Sequence, residues 1–145
     1  MYLQLPGRRC RRRSNRGRHQ CHQPSFVKII ISGGRDYTDR DFIYMVLDHV
    51  HRERVITLLI EGGARGVDRI GREWAIGRGV PYHTEPADWD TYPKSAGPIR
   101  NRVMLAIEGV DGVVAFPGGK GTTDMVKATR RVKLPVYLPS YDFKI

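Results

Sequence analysis

Cysteine is nearly absent from this 145-residue chain: it occurs twice, at Cys10 and Cys21, and not at all from residue 26 onward. A disulfide framework is thereby excluded for most of the chain; a reducing compartment fits, and the cytoplasm is the expected location. Long apolar runs are missing too, none approaching the roughly 18 residues a helix needs to cross a bilayer, so no membrane partner is expected. There is no G-x-x-x-x-G-K-[ST], which sets aside a P-loop ATPase, and no G-x-G-x-x-G behind the first apolar run, which weakens a dinucleotide oxidoreductase. The expected cofactor is therefore none. No metal is expected either, because Cys10, His19, Cys21 and His22 supply ligand atoms at a spacing that matches no standard site.

Acidic residues are missing from residues 1–25, which hold seven arginines (Arg8, Arg9, Arg11, Arg12, Arg13, Arg16 and Arg18). The chain's net charge of +10 thus divides into +7 for this arm and +3 for residues 26–145, which carry 18 basic and 15 acidic residues. An arm of Arg, Gln, Gly, Ser and Pro cannot bury enough apolar surface to offset the entropy of ordering, and it reads as a disordered basic tail. It can bind phosphate backbones without sequence preference, which makes nucleic acid a candidate partner. An organelle transit peptide is Arg-rich in the same way but carries more Ser. The arm also fits sequence upstream of the natural start; since a start at Met45 would delete the first strand, such a start would be a non-AUG codon.

Residues 26–145 read as one domain of alternating strands and helices. Val27 to Ile31 is a β-branched run ending in Gly-Gly, hence a buried strand. Asp39 caps a helix whose Phe42, Ile43, Val46, Leu47 and Val50 share one face. Val55 to Ile60 is a second strand, and a helix from Asp68 turns Ile70, Trp74 and Ala75 inward until Gly77 or Gly79 stops it. A weaker strand (Val80 to Glu85), a loop (Pro86 to Pro98), a helix (about Ile99 to Ile107), a strand (Gly112 to Phe116), a helix (Thr122 to Val132) and a last strand (Pro135 to Leu138) complete the pattern. The fold class is α/β: a Rossmann-like, doubly wound, mainly parallel five-stranded sheet with helices on both faces.

Three glycine pairs, Gly33-Gly34, Gly62-Gly63 and Gly118-Gly119, each follow a strand and precede a helix, at offsets of 29 and 56 residues. Right-handed crossovers bring all three to the carboxyl edge of the sheet, where open α/β sheets bind ligands. Backbone N–H groups approach closely there and the helix N-terminus behind supplies free donors, an arrangement that suits a phosphate. Any single pair fits a strand end equally well. Beside them, Arg35, Arg65, Arg100 and Lys120 can pair with phosphate oxygens, and Asp36 and Asp68 can accept from ribose hydroxyls. Asp68 also fits a helix cap, and Arg130, Arg131 and Lys133 fit complements to a helix dipole.

The residues from Gly62 to Asp68 (GGARGVD) are similar to the ARGID-type motif of the Smf/DprA DNA-processing proteins. Those from Ile99 to Met104 (IRNRVM) and from Phe116 to Asp124 (FPGGKGTTD) resemble the R-K-x-x-M and P-G-G-x-G-T-x-x-E pair of the Lonely Guy phosphoribohydrolases. Sharing both is the mark of the SLOG superfamily. With SGGRDYTD, PADW and AGPIRNR, the chain from about Lys28 to Val136 looks most like its YspA-type, cpYpsA-related branch, found in bacteria and their phages. The resemblance implies a nucleotide-ligand domain whose ligand-binding residues are Gly33, Gly34, Arg35, Asp36, Gly62, Gly63, Ala64, Arg65, Gly66, Asp68, Arg100, Asn101, Pro117, Gly118, Gly119, Lys120, Gly121 and Thr122. Superfamily members often pair as homodimers, although no stretch of this chain marks an interface.

Three functions follow. The favoured one is binding or sensing of a nucleotide or nucleotide-derived small molecule. The second is N-glycosidic cleavage of a nucleoside 5′-monophosphate, for which the resemblance implies Arg100 as charge stabiliser. The family's glutamate position carries Met125 and the lysine after its arginine is Asn101. Asp124 stands one residue earlier, about 100° round a helix, and is the substitute carboxylate if the chain is an enzyme. The third is single-stranded DNA binding of DprA type, drawing on the tail and on stacking by Tyr37, Trp89 or Tyr92. Trp89, flanked by Asp88 and Asp90, is either a lid over a base or a plug under its loop.

Overall fold

The computed structural model describes residues 26–139, where five strands alternate with four helices. The basic arm of residues 1–25 lies outside them. The strands are β1 (Phe26–Ser32), β2 (Val55–Glu61), β3 (Tyr82–Thr84), β4 (Val110–Ala115) and β5 (Val136–Tyr137); the helices are α1 (Arg40–Glu53), α2 (Val67–Arg78), α3 (Ala96–Leu105) and α4 (Lys120–Arg131). The sheet runs β3-β2-β1-β4-β5 with every described pairing parallel. The expected doubly wound α/β fold is what the chain adopts.

β1 is apolar on both sides because both are covered. Val27, Ile29 and Ile31 face a core closed by Phe42, Ile43, Val46, Leu47 and Val50 of α1 and by Val67, Ile70, Trp74 and Ala75 of α2. Ile30 faces the other side, where Ile60, Val113 and Ala115 meet Met104 of α3 and Met125 of α4. Each large side chain so buried contributes about 2 kcal/mol relative to exposure. The caps follow the sequence at both ends. Asp39 accepts from the Phe42 N–H (3.1 Å) at the start of α1, and Gly79 closes α2 with φ of 68° in the left-handed region.

Some boundaries differ from the sequence reading. β3 and β5 are shorter than expected, and α4 begins at Lys120, which puts Gly121 and Thr122 in its first turn. α3 begins at Ala96, three residues before Ile99, and ends at Leu105. Pro98 is tolerated there because a first-turn N–H has no intrahelical acceptor to lose. Among the described residues no helix is long and apolar enough to cross a membrane.

The topology decides where a ligand can sit. From β1 the chain winds outward to β2 and β3, then returns to the opposite side of β1 to form β4. The connections leaving β1 and β4 therefore diverge, and the crevice of an open α/β sheet lies at that reversal.

Candidate functional site

The β1–α1 and β4–α4 turns meet across this reversal at backbone distance. Gly34 N donates to Pro117 O (2.9 Å) and Phe116 N to Ser32 O (2.8 Å). At Gly118 a Cβ would stand 2.6 Å from Gly34 N, so glycine is required there for two backbones to pass. The next glycines are different in kind. A Cβ at Gly119 or Gly121 would meet no heavy atom within 4 Å, so their missing side chains leave open space in front of α4. That space is faced by the first-turn amides of α4, which have no acceptor within the helix; the ladder begins with Thr123 N donating to Gly119 O (3.1 Å).

The space belongs to a cleft of about 820 Å³, a size typical of small-molecule sites. Of the residues expected from sequence, Gly33, Gly34, Arg35, Asp36, Ala64, Asp68, Arg100, Asn101, Pro117, Gly118, Gly119, Lys120, Gly121 and Thr122 line it. Gly62, Gly63, Arg65 and Gly66 do not. Arg65 pairs with Asp36 (3.1 Å), both well exposed. Tyr37 and Trp89, weighed for stacking, also line the cleft, Tyr37 with its ring stacked on Phe116. Lys94, Gly97, Pro98 and Met104 are additional. Gly97, Arg100, Asn101 and Met104 share one face of α3, which becomes readable once the helix starts at Ala96. Arg35, Lys94 and Lys120 face the cleft with no carboxylate within ion-pair distance among the described residues.

The β2–α2 turn is closed on itself. Asp68 Oδ2 accepts from Gly62 N and Ala64 N (both 3.2 Å). Glu61, fully buried and not singled out by the sequence, accepts from Gly63 N (2.5 Å) and from the Thr84 hydroxyl. Asp68 is thus not the capping residue of α2, a place taken by Gly66; it lies inside the helix, lines the cleft, and has its Oδ2 engaged by the two amides. Burial pushes its carboxyl up to about 6, and the neighbouring Glu61 charge adds to this against the pull of the Ala64 and Gly62 amides and of Arg100. Gly66, with φ of 77°, packs where a Cβ would stand 2.4 Å from Gly34 O.

Arg100 reaches this turn from α3. Its Nη1 donates to Gly62 O (2.6 Å) and its Nε to Asn101 Oδ1 (3.2 Å), and burial holds its pKa below the ordinary arginine value. Asp124 does not line the cleft. It accepts from Asn101 Nδ2 (3.0 Å) and Arg102 Nη1 (3.4 Å), while Met125 is buried in the core.

The family model described as "YspA, cpYpsA-related SLOG family" matches residues 27–92. The gene 61 protein of Mycobacterium phage D29 is 34% identical over 117 residues, covering 75% of this chain and 93% of that protein. Among solved structures, the structural-genomics target TM1055 superposes with a TM-score of 0.59 at 18% identity, over 76% of this chain and 72% of its own. DNA processing protein A (DprA) from Streptococcus pneumoniae reaches a TM-score of 0.44 at 17% identity, over 77% of this chain and 58% of its own. The first structural likeness agrees with the fold, and the sequence matches assign the lineage: the chain belongs to the YspA, cpYpsA-related SLOG family.

Proposed function

We propose that the cleft binds a nucleotide or nucleotide-derived phosphorylated small molecule, with its phosphate at the first turn of α4, and that residues 26–145 act as a ligand-binding or sensing domain. One observation carries this reading: the first-turn amides of α4 and the Lys120 side chain stand around positions 119 and 121, where the absence of a Cβ leaves the space open. Donors without acceptors, a helix N-terminus and an unpaired cation together favour an anion. The family assignment favours a nucleotide as the molecule that carries it.

Binding is favoured over N-glycosidic hydrolysis because the substitute carboxylate is engaged elsewhere. Asp124 is held by Asn101 and Arg102 outside the cleft lining, and Arg100 is anchored on Gly62 O. The carboxylate that would replace the family's glutamate is thus not placed to activate water beside the charge-stabilising arginine. Single-stranded DNA binding would rest on the basic arm, and homodimer formation has no surface assigned to it.

The test is thermal unfolding of the full chain with four nucleoside 5′-monophosphates, each also assayed by chromatography for released base. At least one should raise the melting temperature without release, since a ligand at a hundredfold its Kd stabilises by about 2.7 kcal/mol. Gly119→Leu should unfold at the parent's temperature and lose at least tenfold in affinity. Unchanged affinity in that variant would remove the phosphate seat from α4.

A further inference from the structure

The two tryptophans are treated in opposite ways. Trp74 is fully buried, packs in the core under α1 and α2, and donates from Nε1 to Asp48 Oδ1 (2.9 Å). Trp89 is 44% exposed, belongs to neither hydrophobic cluster, and lines the cleft. It is nonetheless held in place. Its loop is tied by Thr91 N donating to Asp88 Oδ1 (3.1 Å) and Tyr92 N to Asp88 O (2.9 Å). The benzo edge of the indole lies over the first turn of α3, with Cη2 at 3.4 Å from where a Gly97 Cβ would be. Arg35, from the β1–α1 turn, sets its guanidinium carbon 5.4 Å from the ring centroid.

We infer that Trp89 and Arg35 form an aromatic-ring subsite, on which a planar ring of the ligand stacks while its phosphate occupies the first turn of α4. This rests on the phosphate reading above and narrows it: of the nucleotide-derived phosphates, the site takes one that keeps its base, rather than a bare sugar phosphate. An indole left out of the core but fixed at an edge and on a face is a rigid platform, so stacking on it costs little further ordering. Guanidinium and indole planes both stack on bases regardless of sequence, because every base has a π-face. The two residues come from the β1–α1 and β3–α3 connections, so a ring stacked on this pair touches both walls of the cleft. Neither side chain has another partner among the described residues that would explain its position.

Titrations of the full chain compare the four nucleoside 5′-monophosphates with ribose 5-phosphate, followed by tryptophan fluorescence and by thermal shift. The expected result is that at least one nucleotide binds about tenfold tighter than ribose 5-phosphate and alone perturbs the emission. Trp89→Leu should erase both the preference and the signal while leaving ribose 5-phosphate affinity unchanged. Arg35→Lys, which keeps the charge and loses the plane, should reduce the preference in a chain that unfolds at the parent's temperature. Equal affinity for ribose 5-phosphate and every nucleotide, or equal weakening of all of them in Trp89→Leu, would overturn the ring subsite and leave the phosphate seat standing. Failure of all five to bind would overturn both.

Discussion

The turns after β2 and β4 begin with the same signal, a glycine pair between a strand and a helix, and end in opposite states. After β4, the amides at the start of α4 face an open cleft and positions 119 and 121 have empty space where a side chain would be. After β2, the amides of Gly62, Gly63 and Ala64 are already taken by Asp68 and Glu61. Two carboxylates bracketing a glycine pair satisfy from within what a phosphate would satisfy from outside. The topology agrees, since β4 flanks the reversal of strand order and β2 lies on the other side of β1. A glycine pair reports close approach to a backbone; the acids around it decide whether that approach is to a ligand or to the protein.

The strongest way to break the contrast is to put a side chain on each turn. Gly66→Ala should cost about 4 kcal/mol or more, because its positive φ suits glycine alone and its Cβ would strike the Gly34 and Arg35 carbonyls of the neighbouring turn. Chemical denaturation measures this, and a loss below about 1 kcal/mol would mean that the turns are not locked together. Gly119→Leu, the reciprocal change, should be felt in ligand affinity and not in folding.

The next largest effect depends on pH. With its carboxyl near 6 instead of the ordinary 3.8, Asp68 keeps a proton in the folded chain between about pH 4 and 6 that the unfolded chain has released. Stability from this group therefore falls as pH rises through that window, by about 3 kcal/mol. Asp68→Asn carries a constant penalty for weaker acceptance but no titration. Its stability relative to the parent should improve from pH 4 to pH 7, and a gap independent of pH would show that the β2–α2 turn is not closed by a buried charge.

Much of this was legible in the sequence, and the parts that were not have physical reasons. The five inward positions of α1 follow from 3.6-residue spacing, and their burial matches residue for residue. The carboxyl-edge location of all three glycine pairs follows from right-handed crossovers. That Asp68 would spend its oxygen on two amides does not follow, because the same residue at the same spacing also suits a helix cap or a ribose hydroxyl. Pro98 hides the start of α3, since proline in a first turn and proline in a loop look alike, and with it the place of Gly97 on the face of Arg100 and Asn101. Glu61 ends an apolar strand, where an exposed acid is the ordinary expectation; only the folded chain reveals Thr84 and Gly63 waiting for it.

The smallest expected effect is the sharpest test of where the ligand site ends. Arg65 carries the positive charge of the GGARGVD string, and its sequence position suggests a phosphate contact. Its guanidinium, itself outside the cleft lining, instead meets Asp36 at the cleft's edge at 3.1 Å, with the side chains of the pair 66% and 91% exposed. An ion pair so open to solvent contributes little, because water and salt screen it and two long side chains must be ordered to make it. Arg65→Ala should therefore leave the melting temperature unchanged and nucleotide affinity within about twofold of the parent, while Lys120→Ala on the other turn weakens binding about fivefold. A tenfold loss in Arg65→Ala would mean that the arginine leaves Asp36 for the ligand on binding. The β2–α2 turn would then belong to the phosphate site after all, and the division between an open turn and a self-satisfied one would hold only for the free protein.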